Sequence, residues 1–212
     1  VPVTVVEGST SRQASVAAGL AALPPEVDVV LVHDAARALA SSALVRAVEQ
    51  AVRAGHRAVV PGLPVADTIK QVGEPEHPGD EARPVVATVP RATMRAVQTP
   101  QGFERALLDA AHAAGRDRAV DESTAATDDA ALVEALGERV WVVPGEDSAM
   151  KITTTRDLAV AELLARGAEQ DASAQHGTGP RGTGQRGTAS RPAAQDGSEL
   201  DRSAARATEV RA

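Results

Sequence analysis

The chain has 212 residues, 43% of them hydrophobic, which suits one domain whose core, with one Trp, one Phe and no Tyr, must be built largely from Ala, Val and Leu. A net charge of -7 argues against a broad nucleic-acid surface, and the absence of cysteine excludes disulfides and cysteine-based metal sites. No apolar run is long enough to span a membrane and no signal peptide is recognisable, so we expect a cytoplasmic protein.

Strand-like and helix-like patterns alternate along the first part of the chain. Helices are predicted over Arg12–Leu23, with Ser11 as the N-cap, and over Ala43–Ala54. Strands are predicted at Val3–Val6, at the continuous apolar run Asp28–Val32 and at Arg57–Val60. This alternation indicates an α/β fold with a mostly parallel sheet and helices on both faces.

The pattern changes after Pro61. Thr68–Val72 and Pro84–Val89 predict two strands, which are joined by an acidic connector rich in Pro and Gly. We expect residues 66–92 to form a protruding arm. The arm could be a dimer contact or a plain surface loop, and the pattern alone leaves both interpretations open.

The alternation resumes in the second half of the chain. Its predicted elements are a helix over Glu104–Ala114, a helix capped by Thr127 and ended by Gly137, a strand over Arg139–Val143, and a last helix with a Thr154–Asp157 capping box that runs to about Arg166. Residues 1–167 are therefore expected to form the folded domain. Residues 168–212 have few large apolar side chains, which predicts a disordered tail or a linker to a further domain.

Polar side chains follow the apolar run that ends at Val32. Ligands of open α/β sheets bind at the carboxyl ends of strands, where this pattern places His33, Asp34 and Arg37. Asp34 could hold a metal ion, directly or through water, and Arg37 could bind a phosphate through its forked guanidinium. The alternative is a turn in which Asp34 and Arg37 pair with each other, and His33 is assigned a structural place.

Further polar clusters occur later in the chain. They are PVADTIK at 64–70, RAVQTPQGF at 95–103, the Thr127–Asp129 segment, and Lys151 in MKITT, on a predicted short strand. Each has a structural alternative, namely a polar turn, a rigid corner, a helix cap and a solvated lysine on an edge strand.

The order and spacing of VHDAAR, PVADTIK, QTPQGF, TDDAALVEALG and KITTTRDLAVAELL resemble the 2-C-methyl-D-erythritol 4-phosphate cytidylyltransferase family. The upstream GSTSRQASVAAGL is similar to that family's base-binding segment. The resemblance covers residues 3 to about 166. It implies a nucleotidyltransferase fold with a mixed Rossmann-like sheet, and a homodimer. It also implies the conversion of CTP and 2-C-methyl-D-erythritol 4-phosphate to CDP-methylerythritol and pyrophosphate with Mg²⁺, in non-mevalonate isoprenoid synthesis.

The resemblance also implies roles for single residues. Around the nucleotide it places Gly8, Ser9, Arg12, Ser15 and Asp34, the last also as the metal ligand. Around methylerythritol phosphate it places Arg37, Thr68, Thr99 and Thr127. Two residues would act on the reacting phosphate: Lys151, which holds it in line with the CTP α-phosphorus, and Arg91 of the arm, which reaches it from the partner subunit. Bringing two polyanions together requires such cations.

One element of the family pattern does not occur in these residues. The family begins with a Gly-rich loop that carries an Arg and then a Lys, and no such loop occurs here. The first residue is Val1, not Met, so we expect a fragment. A chain that truly started there would be inactive, since losing one good transition-state donor already costs about 100- to 1,000-fold. Two alternatives remain: a ribitol-phosphate-type cytidylyltransferase, and a non-catalytic remnant that folds or dimerises.

Overall fold

The computed structural model of the chain describes residues 3–120, 123 and 126–176. The helices are α1 (Arg12–Ala21), α2 (Ser42–Arg53), α3 (Arg105–Ala114), α4 (Asp129–Ala135) and α5 (Thr155–His176). The strands are β1 (Val29–Val32), β2 (Ala58–Pro64), β3 (Ile69–Val72), β4 (Val85–Val89), β5 (Arg95–Val97), β6 (Gln101–Glu104) and β7 (Trp141–Pro144).

The main sheet has five strands. β1 pairs with β6, both β6 and β5 pair with one edge of β2, and β7 pairs with the other edge of β2. The β2–β7 pair is parallel, whereas β1–β6, β2–β6 and β2–β5 are antiparallel. The predicted α/β fold is confirmed, and the sheet is mixed, as the resemblance implies. The strand–helix alternation alone indicated a mostly parallel sheet, whereas three of the four strand pairs are antiparallel. The reason is the arm, which leads the chain away after β2 and returns it along the same edge in the opposite direction.

Strands β5 and β6 lie in line along one edge of β2, with an interruption at residues 98–100. β5 pairs with the carboxyl-terminal half of β2 and β6 with its first residues. Across the gap, the Gln98 N–H donates to the Pro61 carbonyl at 2.8 Å, so the main chain stays attached to β2. This interruption opens the sheet at the point where the predicted site residues converge.

Helices cover both faces of the sheet, as predicted. On one face Val30, Ala58 and Phe103 pack with residues of α1, α3 and α4. On the other face Val59 packs with Val48 and Val52 of α2. Helix α2 lies directly on the strand backbone, since a Cβ at Gly102 would be only 2.5 Å from Val48 Cγ1.

Side chains cap the starts of α1, α2 and α4, and two of these caps differ from the prediction. Ser11 caps α1 as predicted, but α2 begins one residue earlier than expected and is capped by Ser41. The cap of α4 is Asp128, whose side chain accepts from the Ala131 N–H, and not Thr127. A carboxylate satisfies the positive end of a helix at least as well as a hydroxyl.

The predicted capping box of the last helix is confirmed. The Asp157 N–H donates to Thr154 Oγ1 at 3.2 Å, and the Thr154 N–H donates to Asp157 Oδ2 at 2.8 Å. Hydrogen bonds from the backbone and hydroxyl of Thr153, together with those from Thr154, lower the pKa of Asp157 to about 2. The helix itself continues to His176, so residues 168–176 of the predicted tail are helical, and 177–212 lie outside the described residues.

Two predicted strands are absent from the described structure. Val3–Val6 is exposed and irregular, and Lys151 lies in an irregular segment before α5. A strand pattern becomes a strand only when a neighbouring strand satisfies its backbone groups, and no described strand pairs with either segment. No helix in the described part of the chain is both long and apolar enough to cross a bilayer.

The arm consists of β3 and β4, which pair antiparallel with each other and with no other described strand. Its connector is exposed over most of its length, in agreement with its acidic, Pro- and Gly-rich composition. Several valines of the arm are exposed to an unusual degree, among them Val85 at 57% and Val86 at 58%.

Candidate active site

A cleft of about 240 Å³ opens at the carboxyl end of β1, beside the interruption between β5 and β6. Its walls come from the start of α1, the turn after β1, residues 97–101, the start of α4 and the segment before α5. The residues that line it are Arg12, Asp34, Arg37, Val97, Gln98, Thr99, Gln101, Thr127, Asp128 and Lys151.

The buried segment Gln98–Gln101 forms the floor of this cleft. Gln98, Thr99 and Gln101 are only 4%, 6% and 1% exposed, so each polar side chain needs a partner inside the protein. Each finds it in a different wall of the cleft. The segment therefore fixes three separate parts of the chain relative to one another.

Gln98 holds the loop that follows β7. Its Nε2 donates to the Glu146 carbonyl at 2.8 Å and its Oε1 accepts from the Glu146 N–H at 3.0 Å. A Cβ at Gly145 would lie 2.4 Å from Gln98 Oε1, so glycine is required for this approach. The Glu146 carboxylate in turn accepts from the Ser41 hydroxyl at 2.8 Å, which links the loop to the start of α2.

Thr99 holds the end of β1. Its Oγ1 accepts from the Asp34 N–H at 3.0 Å and lies 3.0 Å from His33 Nδ1. The hydroxyl thus sets the direction in which the chain leaves β1. The contact between Thr99 and His33 agrees with the structural role predicted for His33, because it anchors the turn that presents Asp34 to the cleft.

Gln101 holds the start of α4. Its Nε2 donates to Asp128 Oδ2 at 2.8 Å, and its Oε1 accepts from the Ala130 N–H at 3.2 Å. The other oxygen of Asp128 accepts from the Ala131 N–H at 2.9 Å. Asp128 is therefore committed to the helix cap and to Gln101, and it is not available as a metal ligand without losing the cap.

Asp34 pairs with Lys151, whose Nζ lies 3.0 Å from Asp34 Oδ2. The Lys side chain is half exposed and the Asp side chain is 20% exposed. The segments that carry the two residues are joined by a hydrogen bond from the Ile152 N–H to the Ala36 carbonyl, at 2.8 Å. The alternative of a simple Asp34–Arg37 salt bridge is not what the structure shows.

The Arg37 guanidinium instead braces two carbonyls. Nη1 donates to the Ala149 carbonyl at 2.8 Å and Nη2 to the Val97 carbonyl at 3.3 Å. Its Nε is buried and has no hydrogen-bond partner among the described residues. Burial lowers the pKa of Arg37, and the charge of Asp34 offsets part of that effect.

The electrostatic character of the cleft follows from these contacts. Arg12, Arg37 and Lys151 bring three cationic groups, whereas Asp34 is the one lining carboxylate that is not used to cap a helix. A site with this balance favours an anionic ligand. Arg12 also pairs with Asp129 at 2.8 Å, which ties the start of α1 to α4.

Six of the predicted site residues meet in this cleft: Arg12, Asp34, Arg37, Thr99, Thr127 and Lys151. Gly8, Ser9 and Ser15 lie just outside it, where the Ser9 N–H donates to Ser15 Oγ at 2.9 Å. Thr68 and Arg91 do not line the cleft of their own chain. Both are exposed on the arm, where the Arg91 guanidinium donates to the Ala66 carbonyl.

The sequence analysis predicted no supporting role for Gln98, Glu146 and His112. Gln98 belongs to the polar stretch at 95–103 and Asp128 and Asp129 to the Thr127–Asp129 segment, for which a helix cap was the structural alternative, but the contacts that they make with the rest of the cleft were not predicted. Glu146 and His112 carry no local signal, because their partners are distant in sequence.

The side chains of the cleft show whether it could hold a divalent cation. Among the described residues no group of three or more His, Cys, Asp or Glu side chains could hold a metal ion by itself. Asp34 supplies one accessible carboxylate. Mg²⁺ is commonly held by one or two carboxylates together with substrate phosphates and water, so this arrangement fits a Mg²⁺ that arrives with a nucleotide.

Comparison with known proteins identifies relatives over the same region. A sequence model of the family described as "IspD: 2-C-methyl-D-erythritol 4-phosphate cytidylyltransferase" matches residues 1–166. The 2-C-methyl-D-erythritol 4-phosphate cytidylyltransferase of Streptomyces avermitilis is 56% identical over 163 residues, which cover 76% of this chain and 62% of that protein. The chain thus spans about three fifths of the length of this curated relative.

Solved structures agree with this match. The 2-C-methyl-D-erythritol 4-phosphate cytidylyltransferase from Thermus thermophilus is 46% identical, with a TM-score of 0.63 over 76% of this chain and 72% of that chain. The 4-diphosphocytidyl-2C-methyl-D-erythritolsynthase from Anaerococcus prevotii is 34% identical, with a TM-score of 0.65 over 76% and 69% of the two chains. The chain belongs to the 2-C-methyl-D-erythritol 4-phosphate cytidylyltransferase family.

Proposed function

We propose that this protein transfers the cytidylyl group of CTP to 2-C-methyl-D-erythritol 4-phosphate, giving CDP-methylerythritol and pyrophosphate in non-mevalonate isoprenoid synthesis. The observation that carries the proposal is the single cleft in which Arg12, Arg37 and Lys151 meet Asp34 and Thr99, in a chain of this family. Because the reaction consumes CTP, we also propose a cytoplasmic location.

The chemistry needs little proton transfer, because the nucleophile is already a phosphate oxygen. That oxygen attacks the α-phosphorus of CTP, a new P–O–P bridge forms, and the bond between the α-phosphorus and the leaving pyrophosphate breaks. The protein must hold two anions together and stabilise the charge of the transition state. Lys151 would bind the attacking phosphate, and Arg37, braced by the Ala149 and Val97 carbonyls, would keep a fixed positive charge beside it.

We propose that Asp34 holds a Mg²⁺ ion together with the CTP phosphates. When bound, the ion would neutralise charge on the triphosphate. Asp34 pairs with Lys151 in this structure, so Lys151 and the ion would compete for the same carboxylate. Lys151 would therefore turn from Asp34 towards the substrate phosphate as both ligands bind, which its half-exposed side chain allows.

The nucleotide would lie along the start of α1. Gly8, Ser9 and Ser15 form a small-residue surface there, in which a Cβ at Gly8 would lie 3.4 Å from Ser15 Oγ. Small residues permit the close approach of a base and its ribose. Thr99 and Thr127 would lie on the methylerythritol phosphate side of the cleft.

We also propose that the protein is a homodimer formed through the arm, with Thr68 and Arg91 acting in the partner's site. Both residues are exposed and separate from the cleft of their own chain. The exposed Val85 and Val86 give the arm an apolar surface of the kind that partners cover. An arm that reached a second chain would explain both features together.

The reaction can be tested with ³¹P NMR. We expect a full-length version of the protein, supplied with CTP, Mg²⁺ and methylerythritol phosphate, to yield the resonances of a pyrophosphate diester and of free pyrophosphate. Ribitol 5-phosphate, tested alongside, should react at least about tenfold more slowly, because the pocket would be shaped for the branched polyol. Faster reaction of ribitol phosphate would favour the alternative cytidylyltransferase, and binding of both substrates without product would favour a non-catalytic remnant.

The role of Lys151 predicts a selective loss of affinity. Lys151→Ala should weaken binding of methylerythritol phosphate about 10- to 100-fold by titration calorimetry, because a charge-assisted hydrogen bond to the phosphate is lost. CTP affinity should stay within about twofold. Arg166→Ala, which removes an exposed cation from α5, is the matched control. An equal loss of CTP affinity in Lys151→Ala would contradict the assignment.

The dimer can be tested by sedimentation. The protein should sediment at twice its 21.7 kDa mass. Val86→Asp should shift it to the monomer, because the interface would bury an unpaired charge. Val5→Asp alters a valine that is 88% exposed outside the arm, and it should leave the mass unchanged. A wild-type monomer at micromolar concentration would refute the arm-mediated dimer.

A further inference from the structure

The carboxylate of Asp129 is fully buried and lies directly behind the cleft. It belongs to the first residue of α4 and is 0% exposed. Oδ2 accepts from Arg12 Nη2 at 2.8 Å, and Oδ1 lies 2.9 Å from His112 Nε2. Burial alone would raise the pKa of Asp129, but the hydrogen bond from His112 and the charge of Arg12 outweigh it and hold the pKa below its usual value. The group is therefore a buried negative charge.

His112 completes this arrangement from α3. It is 8% exposed, and its Nδ1 is buried with no hydrogen-bond partner among the described residues. The geometry places the ring proton on Nε2, directed at Asp129, since a proton on Nδ1 would be buried without an acceptor. The contact between the ring and Asp129 thus serves to hold the carboxylate in a single orientation.

Arg12 connects the pair to the cleft. It is the first residue of α1, its side chain is 28% exposed, and it lines the cleft beside Asp34 and Lys151. A long Arg side chain otherwise samples many rotamers, and fixing it before the ligand arrives reduces the entropy lost on binding. Asp129 and His112 do not line the cleft themselves, and the ion pair of Asp129 with Arg12 connects them to a side chain that does.

We propose that Asp129 and His112 are a positioning pair that fixes the Arg12 guanidinium at the nucleotide end of the cleft. Asp129 supplies the charge that holds the guanidinium, and His112 orients the carboxylate. The identity of the ligand, CTP, rests on the proposed function; the positioning of Arg12 does not.

The experiment uses two readouts on a full-length version of the protein. The first is the ¹H–¹⁵N heteronuclear NOE of the Arg12 Nε–H, assigned by its absence in Arg12→Lys, which reports side-chain order without any ligand. The second is CTP affinity by titration calorimetry. The variants are Asp129→Asn, His112→Gln, Arg12→Ala and the double variant Arg12→Ala/Asp129→Asn. The control is Asp109→Asn, which removes the half-exposed carboxylate of an ion pair within α3.

We expect Asp129→Asn to lower the Arg12 NOE clearly below its wild-type value and to weaken CTP binding about 10- to 100-fold. His112→Gln should lower both by a smaller factor, and it serves as the test if Asp129→Asn does not fold. In the double variant, the Asp129→Asn change should cost no affinity beyond that lost in Arg12→Ala, because the effect passes through Arg12. Asp109→Asn should behave as wild type.

An unchanged Arg12 NOE in folded Asp129→Asn and His112→Gln would overturn the proposal, because Arg12 would then be ordered by other contacts. Unchanged CTP affinity in these variants, alongside a loss in Arg12→Ala, would overturn it as well. Wild-type protein that binds no CTP would instead refute the proposed function, and the NOE would still decide whether the pair positions Arg12.

Discussion

The buried segment Gln98–Gln101 is the constraint on which the rest of the site depends. It interrupts the strand formed by β5 and β6, and its side chains hold the loop after β7, the end of β1 and the start of α4. Polar groups buried in this way must be paired, and each pairing is worth more inside the protein than at the surface. One short segment therefore sets the distances between walls that are far apart in sequence.

The electrostatics of the cleft follow from this framework. With Asp128 used for the helix cap and Glu146 used for Ser41, the three cations that line the cleft are left facing one accessible carboxylate, Asp34. The protein thereby keeps a positive site in a chain of net charge -7. A site of this kind suits the proposed cytidylyl transfer, which would bring two anions together and would need no general base.

The sequence predicted several of the residues that meet in the cleft, but not the contacts that hold the cleft together. Asp34, Arg37 and Lys151 were predictable because strand ends and family motifs mark them. The contacts between Gln98 and Glu146 were not, because residues so far apart in sequence carry no shared local pattern. Val3–Val6 was predicted as a strand from its composition, but no described strand pairs with it. Strands β5 and β6 were not predicted at all, because their antiparallel pairing with β2 depends on the return path of the arm, which is a tertiary property.

The most direct test of this account is the affinity of Thr99→Val for methylerythritol phosphate. The substitution keeps the shape of the side chain and removes the hydroxyl that holds the Asp34 N–H and faces His33. We predict a loss of affinity of at least about tenfold, with a folded protein that loses about 1–3 kcal/mol of stability, and near wild-type affinity in Thr99→Ser. Wild-type affinity in a folded Thr99→Val protein would show that this segment does not organise the site.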